Sequence, residues 1–273
     1  MIQDIKPYVY DVTYRQEDIT DDSFVCFKNN GKILLGDTEG ENILPTYEMV
    51  KNMDLHYTYL FTISGQKFFY ADNASDVQIP DYTYQSKNTF RTLQPRHLAF
   101  GMITACQITD WYEANKFCGK CGAPMRHSSK ERMLRCDNCK NMVFPKICPS
   151  IIVAVTNGEK LLMTKRSPSS DHYSLIAGFM EVGETAEDTI HREVYEETGV
   201  RVKNIKYYKS QPWSFSDSVL FAFTAELDGS DEIAPHDNEL SSAEWIDRKD
   251  IKDVNQGVSI TNELICAFKD GII

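Results

Sequence analysis

Residues 178–200 read GFMEVGETAEDTIHREVYEETGV, and this stretch decides the fold of the second half of the 273-residue chain. Thr185 is followed three residues later by Asp188, which is the pattern of a helix-capping box. Gly199 supplies a residue that accepts the left-handed conformation in which many helices end. The sequence therefore predicts a helix over about residues 186–198.

Three carboxylates of this helix share one face. Glu193, Glu196 and Glu197 fall at positions i, i+3 and i+4, and Glu184 lies just before the helix. Like charges at this spacing destabilise a helix by a few tenths of a kcal/mol per pair, and Arg192 alone does not neutralise them all. Clustered oxygen ligands suit Mg²⁺ or Mn²⁺. We therefore predict a divalent-cation site here in preference to a solvated acidic face.

The charge of the chain is unevenly placed. In all, 29 basic residues face 40 acidic ones, for a net charge of −11. Segment 1–115 holds 9 basic and 16 acidic residues, 116–146 holds 8 and 2, and 147–273 holds 12 and 22. An acidic chain repels polyanions, so a phosphate ligand has to be brought in by bound cations or by the basic middle segment.

Four of the eight cysteines lie in that basic segment with the spacing Cys118-x2-Cys121-x14-Cys136-x2-Cys139. Two pairs of thiolates on two turns can close a tetrahedron around one Zn²⁺, and four thiolates leave no open position, so the predicted site is structural. Such a site contributes on the order of 10 kcal/mol to the folding of a small module. An iron–sulfur cluster, and nucleic-acid binding by the basic residues, remain alternatives.

The first hundred residues alternate apolar runs with turn signals, which predicts a mostly antiparallel sheet. The predicted strands are Phe24–Phe27, Lys32–Leu35, Tyr57–Ile63 and Lys67–Tyr70. Asn30-Gly31 is a hairpin signal, because a type I′ turn needs two residues with positive φ. Asn157-Gly158 repeats it between Ile151–Val155 and Leu161–Thr164, as expected from an internal duplication or equally from two unrelated hairpins. Apolar spacing predicts a helix over about 95–116.

The motif in residues 178–200 also carries a family resemblance. The pattern G-x5-E-x7-R-E-V-x-E-E-x-G-V resembles a complete Nudix box. The resemblance implies an α/β/α sandwich that binds two or three Mg²⁺ or Mn²⁺ ions and cleaves diphosphate bonds linked to a nucleoside. It implies catalytic roles for Glu193, Glu196 and Glu197, a further ligand in the carbonyl of Ala177, and one more carboxylate outside the box, Glu239.

A second stretch narrows the resemblance. Residues 210–218 read SQPWSFSDS and resemble the SQPWPFPxS signature of NADH pyrophosphatases, although serines replace two prolines. With the four-cysteine ribbon and the linker at 144–149, the resemblance covers about residues 90–265. It implies that the nicotinamide ring stacks between Phe179 and Trp213, the tryptophan coming from the second subunit of a homodimer. The other residues that it implies for substrate binding are Phe144, Gln211, Pro212, Ser218, Glu131, Arg91 and Thr261.

These observations combine into one expectation for the fold. We expect an α+β and α/β chain with an N-terminal β-rich, Nudix-like domain and connecting helix over 1–115. A zinc ribbon over 116–146 would follow, and then a Nudix sandwich over 147–273. With 42% apolar and 25% charged residues, the composition is that of folded protein and excludes disorder.

The resemblance implies metal-dependent hydrolysis of NAD(H) to NMN(H) and AMP, and by extension removal of NAD caps from RNA. The alternatives are a broader dinucleotide pyrophosphatase, acting on ADP-ribose or diadenosine polyphosphates, and a non-catalytic nucleotide sensor. No secretory signal is recognisable, and apolar runs such as Ile151–Val155 are far shorter than the roughly 20 residues of a membrane helix. We therefore expect a cytoplasmic protein with no membrane partner.

Overall fold

The structure is a computed structural model that describes residues 1–37, 43–72, 74, 76–165, 167, 173–234, 240–252 and 257–273. The chain divides into two units. The N-terminal unit comprises Ile2–Lys146, and the C-terminal unit comprises Ile147–Ile273 together with Met1. No helix among the described residues is long and apolar enough to cross a membrane.

The N-terminal unit is rich in short strands, as its alternation of aromatic and β-branched runs with turn residues predicts. Its elements are β1 (Tyr10–Asp11), β2 (Phe24–Cys26), β3 (Lys28–Asn29), β4 (Lys32–Leu35), α1 (Tyr47–Val50), β5 (Tyr57–Ile63), β6 (Gln66–Ala71), β7 (Thr83–Ser86), α2 (Arg96–Ala114), β8 (Met125–His127), β9 (Leu134–Cys136) and β10 (Met142–Val143). A 3₁₀ helix over Lys87–Arg91 precedes α2.

Two sheets form the β-rich part of this unit, in the orders β1-β5-β6-β2 and β3-β4-β7. The turn at Asn30-Gly31 is confirmed, with φ of 50° and 74°. The strand directly before this turn is β3, however, and not the predicted strand Phe24–Phe27. That strand ends at Cys26 and pairs with β6 in the other sheet, in parallel. The chain thus changes sheets just before the hairpin, which the local turn signal does not reveal.

Helix α2 confirms the helix predicted over about 95–116. Met102, Ala105 and Trp111 of its apolar face are buried. A β-carbon at Gly101 would lie 2.7 Å from a ring carbon of Phe68, so the absence of a side chain allows the helix to approach β6 closely.

The ribbon of the N-terminal unit is a three-stranded sheet in the order β10-β9-β8. In its β8–β9 hairpin, Met125 pairs with Cys136 at the cysteine end, and His127 pairs with Leu134 at the loop end. We call these the zinc end and the loop end of the hairpin.

The loop end contacts the β-rich part of the same unit. The hydroxyl of Tyr14 donates a hydrogen bond of 2.5 Å to the carbonyl of Ser128, and the guanidinium of Arg132 donates to the carbonyl of Leu60. Residues around 127–132 are therefore held by contacts far away in sequence as well as by their own hairpin.

The C-terminal unit alternates strands and helices. Its elements are β11 (Cys148–Asn157), β12 (Lys160–Lys165), β13 (Ile176–Phe179), α3 (Ala186–Thr198), β14 (Val202–Trp213), β15 (Ser218–Leu227), β16 (Ser242–Asp247) and α4 (Ile260–Lys269). The sheet order is β14-β15-β11-β12-β16, and β13 pairs with the first half of β11. The second predicted hairpin is confirmed between β11 and β12, but its turn is one residue later than predicted. Asn157 is the last residue of β11 and pairs with Lys160, so the turn residues are Gly158, at φ 57°, and Glu159, instead of Asn157-Gly158.

The strand β11 shows why helices cover both faces of this sheet. Residues 151–155 of this strand are all apolar. Because successive residues of a strand point to opposite sides, both faces of β11 are therefore apolar. Ile151 and Val153 pack in one buried cluster with the α3 residue Val194. Ile152 packs in a second cluster with the α4 residue Leu264. The result is the expected α/β/α sandwich, and each fully buried aliphatic side chain contributes roughly 1.5–3 kcal/mol to it.

Candidate active site

The helix α3 begins and ends where its sequence predicts. The side chain of Thr185 accepts a hydrogen bond from the backbone of Asp188 at 3.1 Å, and the carboxylate of Asp188 accepts one from the backbone of Thr185 at 3.1 Å. Gly199 ends the helix at φ 72°, and a β-carbon there would lie 2.5 Å from the carbonyl oxygen of Ala234. Both ends are therefore fixed, which sets the direction in which each carboxylate of the helix points.

The three predicted carboxylates lie at increasing depth. The Glu196 side chain is 48% exposed and that of Glu193 is 14% exposed. Glu197 is 3% exposed, and its Oε2 atom is inaccessible to solvent. A carboxylate buried this deeply is costly unless hydrogen bonds or a cation balance its charge.

Arg192 organises the outer carboxylates. Its guanidinium donates to both oxygens of Glu184, at 2.6 and 2.9 Å. It also donates to Glu193 at 2.8 Å, to Glu196 at 3.1 Å and to the carbonyl of Phe179 at 3.0 Å. These hydrogen bonds from Arg192, above all, lower the pKa of Glu184 to about 2. One arginine thus balances part of the charge of three carboxylates.

The lack of a side chain at Gly178 leaves room for the carboxylate of Glu193. A β-carbon at Gly178 would lie 1.9 Å from the Oε1 atom of Glu193, far inside any permitted contact. The Glu193 carboxylate therefore rests against the bare backbone of β13, which is the physical reason for a glycine at the first position of the motif.

Two of these carboxylates, Glu193 and Glu196, line a cavity of about 550 Å³ in the C-terminal unit. Phe179, which is 53% exposed, and Trp213 both contribute aromatic rings to its walls, and the Trp213 ring packs at 4.8 Å against that of Phe215. The other predicted site residues in the walls are Ala177, Glu193, Glu196, Ser218 and Thr261. The structure thus places both aromatic rings of one chain in the same cavity.

Some residues of the 210–218 motif lie elsewhere. Gln211 is fully buried, its side-chain amide donates to the carbonyl of Val258 at 2.8 Å, and its oxygen accepts from the backbone of Ile260 at 2.7 Å. It therefore fastens the start of α4. Pro212 is exposed on β14, outside the cavity walls. The predicted ligand Glu239 lies outside the described residues.

Three predicted substrate residues belong to the N-terminal unit, whereas the cavity is formed by residues of the C-terminal unit. Arg91 is exposed and donates a weak hydrogen bond of 3.4 Å to Asn88. Glu131 is exposed on the ribbon, and Phe144 is 53% exposed. Their substrate roles stay predictions.

Several residues that line the cavity were not predicted as site residues from the sequence, among them Arg192, Glu181 and Ser216. The sequence indicates Arg192 only as a partial counter-charge, because its hydrogen bonds to three carboxylates depend on the side-chain geometry. Ser216 also lines the cavity, and its hydroxyl lies 2.9 Å from that of Ser218. The signal that could have found it is the serine itself, which replaces a proline of the signature at a cavity position.

The donor set fits a hard divalent cation. Glu193, Glu196 and the β13 residue Ala177 line one cavity, whereas Glu197, buried on the same helix, is not among its lining residues. Oxygen ligands of this kind favour Mg²⁺ or Mn²⁺ over softer metals.

The four cysteines form the second metal-type site, in the N-terminal unit. Their sulfurs all lie within 4.8 Å of one another, with 3.6 Å between Cys118 and Cys139 and 3.5 Å between Cys121 and Cys136. A tetrahedral zinc with bonds of about 2.3 Å holds its sulfurs roughly 3.8 Å apart. The hydrogen bond from the backbone of Ala123, above all, lowers the pKa of Cys121 to about 6. The cluster therefore fits one closed, structural Zn²⁺.

Comparison with known families assigns the same two segments. Residues 146–267 match the family described as the NUDIX domain, and residues 113–144 match the NADH pyrophosphatase zinc ribbon domain.

Sequence similarity to known proteins extends over more of the chain than either family match does. The chain is 35% identical over 214 residues to the NAD-capped RNA hydrolase NudC of Chromobacterium violaceum, covering 74% of this chain and 80% of that protein. It is 34% identical over 218 residues to the protein of the same name from Haemophilus influenzae, covering 76% and 81%. Among solved structures, a NUDIX hydrolase from Nitrosomonas europaea is 24% identical and covers 57% of this chain and 91% of that one, with a TM-score of 0.48.

Proposed function

The chain belongs to the Nudix hydrolases, in the family that carries the NADH pyrophosphatase zinc ribbon, and on this premise we propose that it hydrolyses the diphosphate bond of NAD(H). The products are NMN(H) and AMP. An RNA with NAD at its 5′ end presents the same bond, and its hydrolysis releases NMN and leaves a 5′-monophosphate RNA. The name NAD-capped RNA hydrolase, carried by the relatives, supports this second substrate.

One observation carries the proposal: a single cavity combines carboxylates and aromatic rings. Glu193 and Glu196 line it together with Phe179 and Trp213. A nicotinamide ring needs flat apolar partners, and an aromatic pair contributes roughly 1 kcal/mol beyond simple burial. A diphosphate needs cations, which the carboxylates attract. The cavity thus offers a place for each half of the substrate.

For the chemistry we propose two or three Mg²⁺ or Mn²⁺ ions held by Glu193, Glu196 and Glu197, with the carbonyl of Ala177 and Glu239 as further ligands. Bound there, such ions would supply polarisation of the phosphoryl oxygens and a lower pKa for a water molecule, and that water would attack one phosphorus atom while the other phosphate leaves. The acceptor of the water's proton is assigned to the carboxylate cluster as a whole.

The residues around the carboxylates have positioning roles. Arg192 holds Glu184 through two hydrogen bonds, but Glu193 and Glu196 through one each. Glu184 therefore orients Arg192. Glu193 and Glu196 each lose only one hydrogen bond to the guanidinium when they bind a metal ion. Gly178 lets Glu193 reach the cavity wall.

The test is product analysis with purified protein. We expect NADH to give NMNH and AMP, and NAD-capped RNA to give NMN and 5′-monophosphate RNA, with Mg²⁺ or Mn²⁺ and not with EDTA. Absence of hydrolysis of both substrates with either metal would overturn the proposal.

A broader dinucleotide pyrophosphatase is the second candidate, favoured by Ser216. The residue lines the cavity where the signature has a rigid proline. Equal kcat/KM values for NADH and ADP-ribose would favour this candidate, and a clear preference for NADH would favour the first.

We also propose a homodimer in the cytoplasm, on the family resemblance. Trp213 lines the cavity of its own chain, and the supply of this ring by the second subunit stays a prediction. Light scattering on the purified protein tests the dimer, with a single monomeric species as the contrary outcome.

A further inference from the structure

A second cavity, of about 570 Å³, lies wholly within the N-terminal unit. Its volume is close to the 550 Å³ of the candidate active site. Three stretches line it, namely residues 14–18, residues 57–59 on β5, and residues 127–129 at the loop end of the β8–β9 hairpin. None of the residues assigned above to catalysis or to NAD(H) binding is among its walls, so the reaction leaves this cavity unexplained.

Aromatic rings with one covered face characterise the cavity. The imidazole of His127 lies flat on the ring of Tyr112, with 4.6 Å between centroids and 9° between planes. His127 is nevertheless exposed, so its accessible face is the one away from Tyr112. The guanidinium of Arg132 lies 5.5 Å from the ring of Tyr14 on another wall. Such supported rings are surfaces on which a planar base stacks.

Polar groups are available between the rings. Among the residues that the structure describes, the side chains of Gln16, Asp18 and Ser129 make no hydrogen bond with the protein, and all three are exposed in the cavity walls. An amide and a hydroxyl can each donate to and accept from the edge of a base. Glu17 is already engaged, by Arg15 at 2.6 Å and by Lys67 at 3.2 Å.

Charge separates the cavity from its rim. The walls carry the carboxylates of Glu17 and Asp18 against one cation, Arg15, which is already paired with Asp11 and Glu17. The net charge of the walls is therefore negative and disfavours a phosphate, whereas the exposed cations Arg126 and Lys130 flank the wall segment 127–129 on either side. Arg126 pairs with the exposed Asp137 at 2.7 Å, and Lys130 has no ion pair within the described part of the chain. This arrangement favours a neutral base inside and phosphates outside, which is how unpaired nucleotides are bound.

We propose that this cavity binds the base of an unpaired nucleotide of an RNA chain, with the adjoining phosphates on Arg126 and Lys130. The proposal rests on the proposed function, because it gives the RNA body of a capped substrate its own binding site. It assigns the N-terminal unit and the loop end of the ribbon a role in substrate selection.

The test measures binding of a fluorescent, unpaired RNA with a 5′ monophosphate by anisotropy, without any cap, so that it does not depend on hydrolysis. His127→Ala should weaken binding by about five- to tenfold, the size of one lost stacking contact. Lys130→Ala should weaken it and reduce its salt dependence, since one phosphate contact is lost.

Matched controls keep the result specific. His97 stacks on Tyr8 at 3.7 Å and 16° in the same unit but outside the cavity walls, so His97→Ala should bind RNA as the wild type does. Lys120 lies beside Cys118 and Cys121, at the zinc end of the hairpin, so Lys120→Ala removes an equal charge away from the loop end. All four variants should hydrolyse free NADH at the wild-type rate.

The outcomes separate the two proposals. Unchanged RNA affinity in both His127→Ala and Lys130→Ala, or equal losses in their controls, would overturn the cavity proposal while leaving NADH hydrolysis intact. AMP that binds the cavity as tightly as the RNA does would overturn the assignment to a chain. A wild-type protein that binds RNA in this way but hydrolyses neither substrate would instead contradict the proposed function.

Discussion

The cysteine cluster and the carboxylate cluster are both sets of metal ligands, and the structure shapes them in opposite ways. Among the described residues, only the four cysteines bring three or more such ligand atoms within 4.8 Å of one another. The carboxylates are instead spread around the guanidinium of Arg192. Thiolates carried on two short turns are close together by construction, whereas negatively charged glutamates on one helix repel and need a cation to converge.

The difference has a functional meaning. A closed set of four sulfurs stabilises a fold and offers no position to a substrate. An open set of carboxylates, held meanwhile by an arginine, can bind ions together with the phosphates that they activate. The predictions below test whether stability and catalysis divide between the two clusters in this way.

The largest effect is expected at the cysteines. Cys136→Ser removes a buried sulfur of the cluster, and the ribbon should lose its zinc and with it on the order of 10 kcal/mol of metal-dependent folding free energy. Metal analysis and amide hydrogen exchange over β8 and β9 would measure this loss. Cys148→Ser, outside the cluster, is the control, and a Cys136→Ser protein that keeps one zinc and a protected ribbon would remove the cluster from its structural role.

Glu197→Gln should have the opposite profile. It keeps the size of the buried side chain but removes its charge, and we expect kcat for NADH to fall about 1,000-fold, or about 4 kcal/mol in activation free energy. Thermal unfolding should change little. The control is Glu187→Gln, an exposed carboxylate in the first turn of the same helix. Near-wild-type turnover in Glu197→Gln would exclude Glu197 from the reaction.

The two clusters also show which features can be predicted from sequence. Thr185, Asp188 and Gly199 act on their own helix, so the bounds of α3 follow from local signals and were confirmed. The spacing of the cysteines likewise encodes the closeness of their sulfurs. Contacts of this kind join residues that are close in sequence, so the local sequence pattern predicts them.

Contacts between distant segments could not be read in the same way. The parallel pairing of β2 with β6 joins residues that are more than forty positions apart, and no turn signal records it. Gln211 belongs to a motif associated with substrate, but its side chain bonds the start of α4. Such outcomes depend on packing between elements, which the pattern of one segment does not determine.

Gly178→Ala should sharpen the comparison by moving one carboxylate without removing it. The new methyl group would occupy the position of the Glu193 carboxylate, and the displacement of a metal ligand by about 1 Å costs roughly 100-fold in kcat. Steady-state kinetics would measure it, and a double-mutant cycle gives the control. In a Glu193→Ala background the same substitution should add little, because its effect passes through Glu193. Additive losses would show that Gly178 acts in some other way.

The smallest effect is expected in the acid stability of the carboxylate cluster, measured with EDTA present. The pKa of Glu184 is about 2 in the folded protein because Arg192 binds it, against an ordinary value near 4.5. A depressed pKa stabilises the folded state above the ordinary value, and this contribution is lost as the pH falls through about 2. The unfolding free energy of the wild type should therefore exceed that of Glu184→Gln at neutral pH, and the gap should narrow between about pH 4.5 and 2. Glu187→Gln should show no such convergence with the wild type. A constant gap at every pH would mean that the Glu184 carboxylate stabilises α3 by its shape and not by its charge on Arg192.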